Sequence, residues 1–329
     1  MAKTLVLVGS FILFTQFLSS QENRRELFSV PQAYPLLNGG IPFLDQSAET
    51  LPEGAWTAGF QPMWWNVFRY DFGTSSQNIS FIDAEGLILS GTFQLGLGNG
   101  FELGVKTEFS TFFPGILDPG IQGFHSSFGL PNQGREFFPQ QVLRLYHEQN
   151  GTVIVDTDSV PPTVSMLSFH VSKALDILLF GKWSVQAGFK PPLPWGILLT
   201  RQWGLQAGLS YNDSVAALGL FWGLTAGGAW MEADFLPSEE EWNILWQAGV
   251  HVGWSWTKDW ALLIQGDGAG TPYQGPPSMA AGRSGNLLIG VTWQALPNFT
   301  LQTGIQEEFI SWTTNEVGYF FRVVYRNVP

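Results

Sequence analysis

No cysteine occurs in this chain of 329 residues, and histidine occurs only four times. The first absence excludes disulfides and a lipoprotein anchor. The second leaves His125, His147, His170 and His251 far apart with no paired carboxylate spacing, so neither a metal site nor a cofactor is expected. Charge is scarce at 13% of residues, against about a quarter in ordinary globular domains. What charge there is leans acidic, 27 against 15 basic for a net −12, which argues against nucleic acid as a partner. Beyond the N-terminus no stretch holds about 20 unbroken apolar residues, which excludes transmembrane helices.

What is present is a period of two. From Trp242 to Trp256 every second residue is apolar: Trp242, Ile244, Trp246, Ala248, Val250, Val252, Trp254, Trp256. The residues between are small or polar apart from Leu245. That pattern is a β-strand with one apolar face. Trp242 and Trp254 lie twelve residues apart, roughly 40 Å along a strand. Tilting by about 40° leaves roughly 30 Å along the normal, the thickness of a bilayer core. A soluble sandwich would alternate too, but its polar positions would carry Lys, Glu and Asp. Here they are mostly Gly, Gln, Ser and Thr. The 38 Gly, 15 Trp and 27 Phe suit a barrel with small lumen residues and aromatic belts.

Three regions follow. Residues 1–20 read as a cleaved signal peptide, with Lys3 basic, Thr4 to Leu18 apolar and Ser19-Ser20 a small-residue exit. Residues 21–54 hold Pro31, Pro35, Pro42 and Pro52 without period-two pattern, and form a periplasmic tail or a plug folded into the lumen. Residues 55–329 are expected to form a single all-β transmembrane antiparallel barrel of about fourteen strands, with twelve as the alternative. The count includes a fourth strand over Gln140 to Glu148, a short fifth from Thr152 to Asp156, and a ninth from Val215 to Trp230. Short connections at Gly98–Gly100, Asn150-Gly151, Asn212–Ser214, Thr257–Asp259 and Pro297-Asn298 alternate with longer ones, matching periplasmic turns and extracellular loops. Trp64, Trp230, Trp242 and Trp312 fall near the long-loop rim. Trp56, Trp183, Trp254, Trp256, Trp260 and Trp293 fall near the short-turn rim, as two belts require.

Strand parity points Glu102, Lys106, Glu108, Arg144 and Arg322 inward, either as a pore lining that tunes solute choice or as a salt-bridged network in a closed lumen. In the long connection, Phe124, Phe128, Leu130, Phe137 and Phe138 are many apolar groups for a water-exposed segment. They are expected to pack into the barrel mouth as a constriction or to grip a hydrophobic ligand. Gly129, Pro131 and Gly134 would shape its turns, and Arg135 would pair with a wall carboxylate. His125, Ser127 and Asn132 together raise a lipid hydrolase, with His125 as base for Ser127. Loop residues capping local backbone are the plainer reading, and no enzyme is expected.

The stretch G-I-L-D-P-G-I-Q-G-F-H-S-S-F-G-L-P-N-Q-G-R-E-F-F-P, Gly115 to Pro139, resembles the signature loop of a family of uncharacterised bacterial outer-membrane proteins. Leu51-Pro52-Glu53-Gly54 and the run Gln265 to Gly275 look like that family as well. The resemblance implies an outer-membrane barrel of unassigned role and supplies no catalytic residue or substrate. The chain ends Arg326-Asn327-Val328-Pro329 rather than in an aromatic residue, but Tyr319, Phe321, Val323 and Tyr325 alternate before it for the barrel-assembly machinery to read. The expectation is therefore a barrel among outer-membrane lipids of the bacterial cell, acting as a channel or transporter for small or hydrophobic solutes. A structural or surface-interaction barrel with a plugged lumen is the alternative.

Overall fold

Period-two alternation becomes hydrogen-bonded strands only when each strand finds two neighbours, and a closed barrel gives every strand both. The computed structural model describes residues 27–29, 47–71, 78–129, 135–149, 151–177, 181–193, 201–232, 244–270, 283–310 and 317–327. The strands are β1 (Trp56–Asp71), β2 (Asn78–Gly98), β3 (Phe101–Phe113), β4 (Arg144–Gln149), β5 (Thr152–Thr157), β6 (Thr163–Leu175) and β7 (Lys182–Lys190). They continue with β8 (Gly204–Val215), β9 (Leu220–Met231), β10 (Ile244–Ser255), β11 (Trp260–Gly270), β12 (Arg283–Leu296), β13 (Phe299–Ile310) and β14 (Val317–Asn327).

All fourteen join one sheet, but twelve of them close the wall. The ring runs β1, β2, β3, then β6 to β14, and β14 pairs back onto β1 from Trp56↔Asn327 to Asn66↔Val317. β2 is 21 residues long and outruns β3. Its first residues, Asn78 to Asp83, pair instead with β4, and β5 pairs with β4. The expected fourth and fifth strands thus exist, but as a hairpin standing on the upper end of β2. The wall count is the alternative, twelve. The Asn150-Gly151 connection joins β4 to β5 at that hairpin's far tip, on the long-loop side rather than the short-turn side; within it Gly151 has φ 77°. Another expected turn, Asn212–Ser214, is strand: β8 runs on to Val215, pairing with Leu220.

Strand β10 behaves as its alternating pattern dictates. In β10, Leu245, Gln247, His251 and Ser255 are buried, while Trp246, Val250, Val252 and Trp254 are exposed on the outer wall. An outer face that apolar would be costly in water and is at home in lipid. At the short-turn rim Trp254, Trp256, Trp260 and Trp293 form a continuous stack with centroids 6.2, 6.3 and 5.3 Å apart. Trp56 lies 5.2 Å from Tyr325 on the same rim. Trp242 and Trp312 lie outside the described residues. Among the described residues no helix is long and apolar enough to cross a membrane.

The connection after β3 holds a helix, α1 (Asp118–Phe128). Pro at its first turn, Asp118 beside it and Gly129 at φ 68° as the left-handed cap are the usual start and stop signals. Gly120 and Gly123 inside it hide the helical pattern, since each interior glycine costs about 1 kcal/mol against alanine.

Candidate functional site

A twelve-stranded wall encloses a lumen of its own, and the inward residues decide what that lumen can do. Glu102, Lys106 and Glu108 are buried within the barrel, and Arg322 reaches the Leu27 carbonyl there. The Lys106 ammonium lies 3.6 Å from Glu108. Glu102 accepts from Gln94 Nε2 and from the Leu51 backbone N–H, each at 3.0 Å. Arg144 does not line the lumen. It stands opposite Asp83 in the β2–β4 ladder, on the face that also carries Glu85 and Phe81, and its guanidinium is 2.5 Å from Asp156 across the hairpin. A wall strand would turn Leu145 to lipid and Arg144 inward; in the hairpin Leu145 stands opposite Ile82 in the buried cluster and Arg144 takes the other face. Beside it, burial lowers the His147 pKa, and the hydrogen bond to Glu148 raises that of Tyr146.

Towards the long-loop end the inward layer turns apolar, with Met63, Trp65, Ile82, Ile88, Phe112 and Leu145 in one buried cluster. Below it the lining is polar and rich in glutamine, including Gln61, Gln186, Gln206, Gln265 and Gln302.

The lumen is not empty. Leu27, Phe28 and Ser29 are buried within it, held by their backbone. The Phe28 N–H donates to Gln265 Oε1 at 3.1 Å, and Gln265 Nε2 donates back to the Phe28 carbonyl at 3.2 Å. A side-chain amide thus imitates a strand partner. Gln61 Nε2 donates to the Ser29 carbonyl at 2.9 Å, and Arg322 Nη1 to the Leu27 carbonyl at 2.6 Å. The Phe28 ring meets Phe320 at 4.8 Å.

A second piece of the same region, residues 47–55, crosses the short-turn end. Asn212 Nδ2 donates to Ser47 Oγ at 3.1 Å, and Lys182 lies 2.7 Å from Glu49. On the other side Gly54 N–H donates to the Gly96 carbonyl and Gly96 N–H to the Ala55 carbonyl, at 3.0 and 2.9 Å. A Cβ on Gly96 would come within 2.0 Å of the Pro52 carbonyl oxygen, so glycine is what admits this crossing.

The long connection packs elsewhere than expected. By register Asn66, Glu85, Phe68 and Phe81 share the outward face of β1 and β2 with Trp64. That face is covered. Glu85 accepts from Trp64 Nε1 at 2.5 Å and from the Ile116 and Leu117 N–H groups at 2.6 and 2.8 Å. Phe138 lies against Phe68, Phe81 and Tyr70. Arg135 pairs with Asp118 of α1 and donates to Asn66 Oδ1 of the wall at 2.8 Å. What is described of the connection thus lies outside the mouth, against the outer wall. His125 is buried on α1 and Gly129 caps it. The side chains of Phe124 and Phe128, and the whole of Leu130, Pro131, Asn132 and Gly134, lie outside the described residues. His125 and Ser127 are two apart on a helix and do not face one another; the Ser127 hydroxyl donates to the Gly123 carbonyl at 2.7 Å. The serine–histidine pairing is not formed.

Of the residues that hold the lumen segment, strand parity singles out Arg322 but not Gln61 or Gln265, because an inward glutamine looks the same whether it faces water or a peptide. Phe28, an aromatic residue in an otherwise unpatterned region, was the available signal.

The sequence matches, over residues 3–326, the family described as "Protein of unknown function (DUF3187)". None of the curated proteins matches it. Among solved structures, an outer-membrane channel from Pseudomonas putida F1 aligns with a TM-score of 0.51 at 12% identity, covering 85% of this chain and 98% of that one. A FadL homologue from Pseudomonas aeruginosa aligns with a TM-score of 0.41 at 9% identity, covering 91% and 98%. The first likeness, at 12% identity, is one of fold alone: a closed antiparallel barrel of the outer-membrane type.

Proposed function

We propose that this chain, which belongs to the DUF3187 family, is an outer-membrane channel for small or apolar solutes, closed at rest by residues 27–29 and 47–55. The observation that carries the reading is the way residues 27–29 are held. A lumen that only needed filling could be filled by its wall. Here a separate strand of backbone is clasped by Gln61, Gln265 and Arg322 through hydrogen bonds. The two glutamine contacts are worth about 1 kcal/mol per bond and the Arg322 bond about 1.5–3 kcal/mol, so the segment can be released without breaking the wall. The apolar layer above it favours passage of apolar groups over charged ones, and the fold is one that an outer-membrane channel shares.

The competing reading, a permanently plugged structural barrel, draws on the knit of Gly54 and Ala55 to Gly96. Liposome swelling separates the two. With the barrel lacking residues 21–54, leucine should enter about threefold faster than asparagine of similar size, since an apolar layer penalises the amide. Swelling no faster than in protein-free liposomes, for every solute, would exclude the channel.

A further inference from the structure

The slot that receives Phe28 is more specific than a stopper requires. Gly290 and Gly304 stand directly opposite one another on β12 and β13. A Cβ on Gly290 would come within 2.9 Å of Phe28 Cζ, and one on Gly304 within 2.8 Å of Phe320 Cζ. The paired glycines thus make a shallow recess in the wall with one ring laid over each. Phe28 is fully buried there.

Around that recess three strands contribute polar groups. Gln265 on β11 offers a donor and an acceptor side by side, its Nε2 donating also to the buried Asp267 Oδ2 at 2.9 Å, and Gln61 on β1 offers a donor. Arg322 on β14 brings a full positive charge, yet its described acceptors are neutral: the Leu27 carbonyl at 2.6 Å and Gln302 Oε1 at 3.2 Å. A guanidinium pairs more strongly, and with two bonds, to a carboxylate. The segment therefore occupies an aromatic recess flanked by an amide clamp and by a cation that, among the described residues, meets only neutral acceptors.

We infer that this recess is a solute site, that it takes a small aromatic compound bearing a carboxylate or an amide, and that Phe28 with its peptide groups stands in for that solute while the barrel is closed. The inference rests on the channel reading and names its solute class. Phe320 and the glycine pair receive the ring, Gln265 receives an amide through both its atoms, and Arg322 receives a carboxylate.

The test uses refolded barrel lacking residues 21–46, which keeps the 47–55 crossing, with 3-phenylpropanoate, 3-phenylpropanamide and the ringless butanoate as calorimetric probes. Both phenyl probes should bind about tenfold more tightly to the shortened barrel than to the full chain, and butanoate should not bind. In the shortened barrel Arg322→Gln should weaken the carboxylate probe and spare the amide, while Gln265→Leu should weaken the amide. Equal binding to full and shortened chains, or indifference to both substitutions, would overturn the assignment. Should the shortened chain fail to show heat-modifiable mobility, Phe28→Ala in the full chain serves instead: the emptied recess should take up toluene, and its failure to do so overturns the site. Conductance of the barrel lacking residues 21–54, from which the crossing is gone as well, keeps the two readings apart. Conductance without probe binding refutes the site and leaves the channel; binding without conductance refutes the channel.

Discussion

Deleting residues 21–54 should turn an almost silent barrel into a conducting one, with at least a tenfold rise in single-channel conductance in planar bilayers. Twelve strands spaced about 4.8 Å apart and tilted about 40° close on a backbone cylinder roughly 24 Å across. Inward side chains narrow that bore, but glutamine, serine and glycine dominate its lower half. What spans the bore is the segment clasped by Gln61, Gln265 and Arg322, together with the crossing from Ser47 to Ala55. Removing both costs a handful of hydrogen bonds at about 1 kcal/mol each, and about 1.5–3 kcal/mol for the Arg322 bond. It leaves untouched the β1–β14 and β1–β2 ladders that close the wall. A deleted barrel that folds yet stays silent would mean that wall side chains alone close the lumen.

The second large effect lies outside the lumen. Arg135→Ala should destabilise the protein by about 3–5 kcal/mol, because it leaves Asp118 as a buried, uncompensated charge. Both groups are almost fully buried, with side chains 3% and 1% exposed. The network they anchor also holds Asn66 of the wall and the Gln141 N–H, which donates to Asp118 Oδ2 at 2.9 Å. Arg135 further covers the Phe68 ring at 4.7 Å. The loss should fall first on the connection, as protease cleavage within residues 114–143 at denaturant concentrations that leave the wall folded. The double change Asp118→Leu with Arg135→Met should recover most of it, since replacing a buried pair by apolar groups is often neutral. An Arg135→Ala protein as resistant as the parent would place the network in water.

Much of the barrel is legible in the sequence because lipid and lumen impose opposite demands on alternate residues. β7 runs from Lys182 to Lys190 as its pattern indicates, and β10 alternates from Ile244 to Ser255. The aromatic belt follows from the same demand. Pairing is not legible in this way. Alternation says that Arg144 to Gln149 is a strand, but not that its neighbour is the overhang of β2 rather than the wall, and so Arg144 was given the wrong face. The connection after β3 misled for a different reason: its phenylalanines suggested a mouth, whereas a buried ion pair and Glu85 tie it to the outer wall. The lumen segment carries no period at all, since it is recognised through one ring, Phe28, and the backbone groups of residues 27–29, and a single ring makes no pattern to read.

The cysteine-free chain allows the central claim, a barrel closed by its own N-terminal region, to be measured by one cross-link. Ser47 Oγ and Asn212 Nδ2 are 3.1 Å apart, with Asn212 facing inward on β8 and Asp213 its outward neighbour. In folded, heat-modifiable barrel, Ser47→Cys with Asn212→Cys should form a disulfide on mild oxidation, and Ser47→Cys with Asp213→Cys should not. Free thiols in the first pair, or equal cross-linking in both, would contradict a segment seated across the lumen.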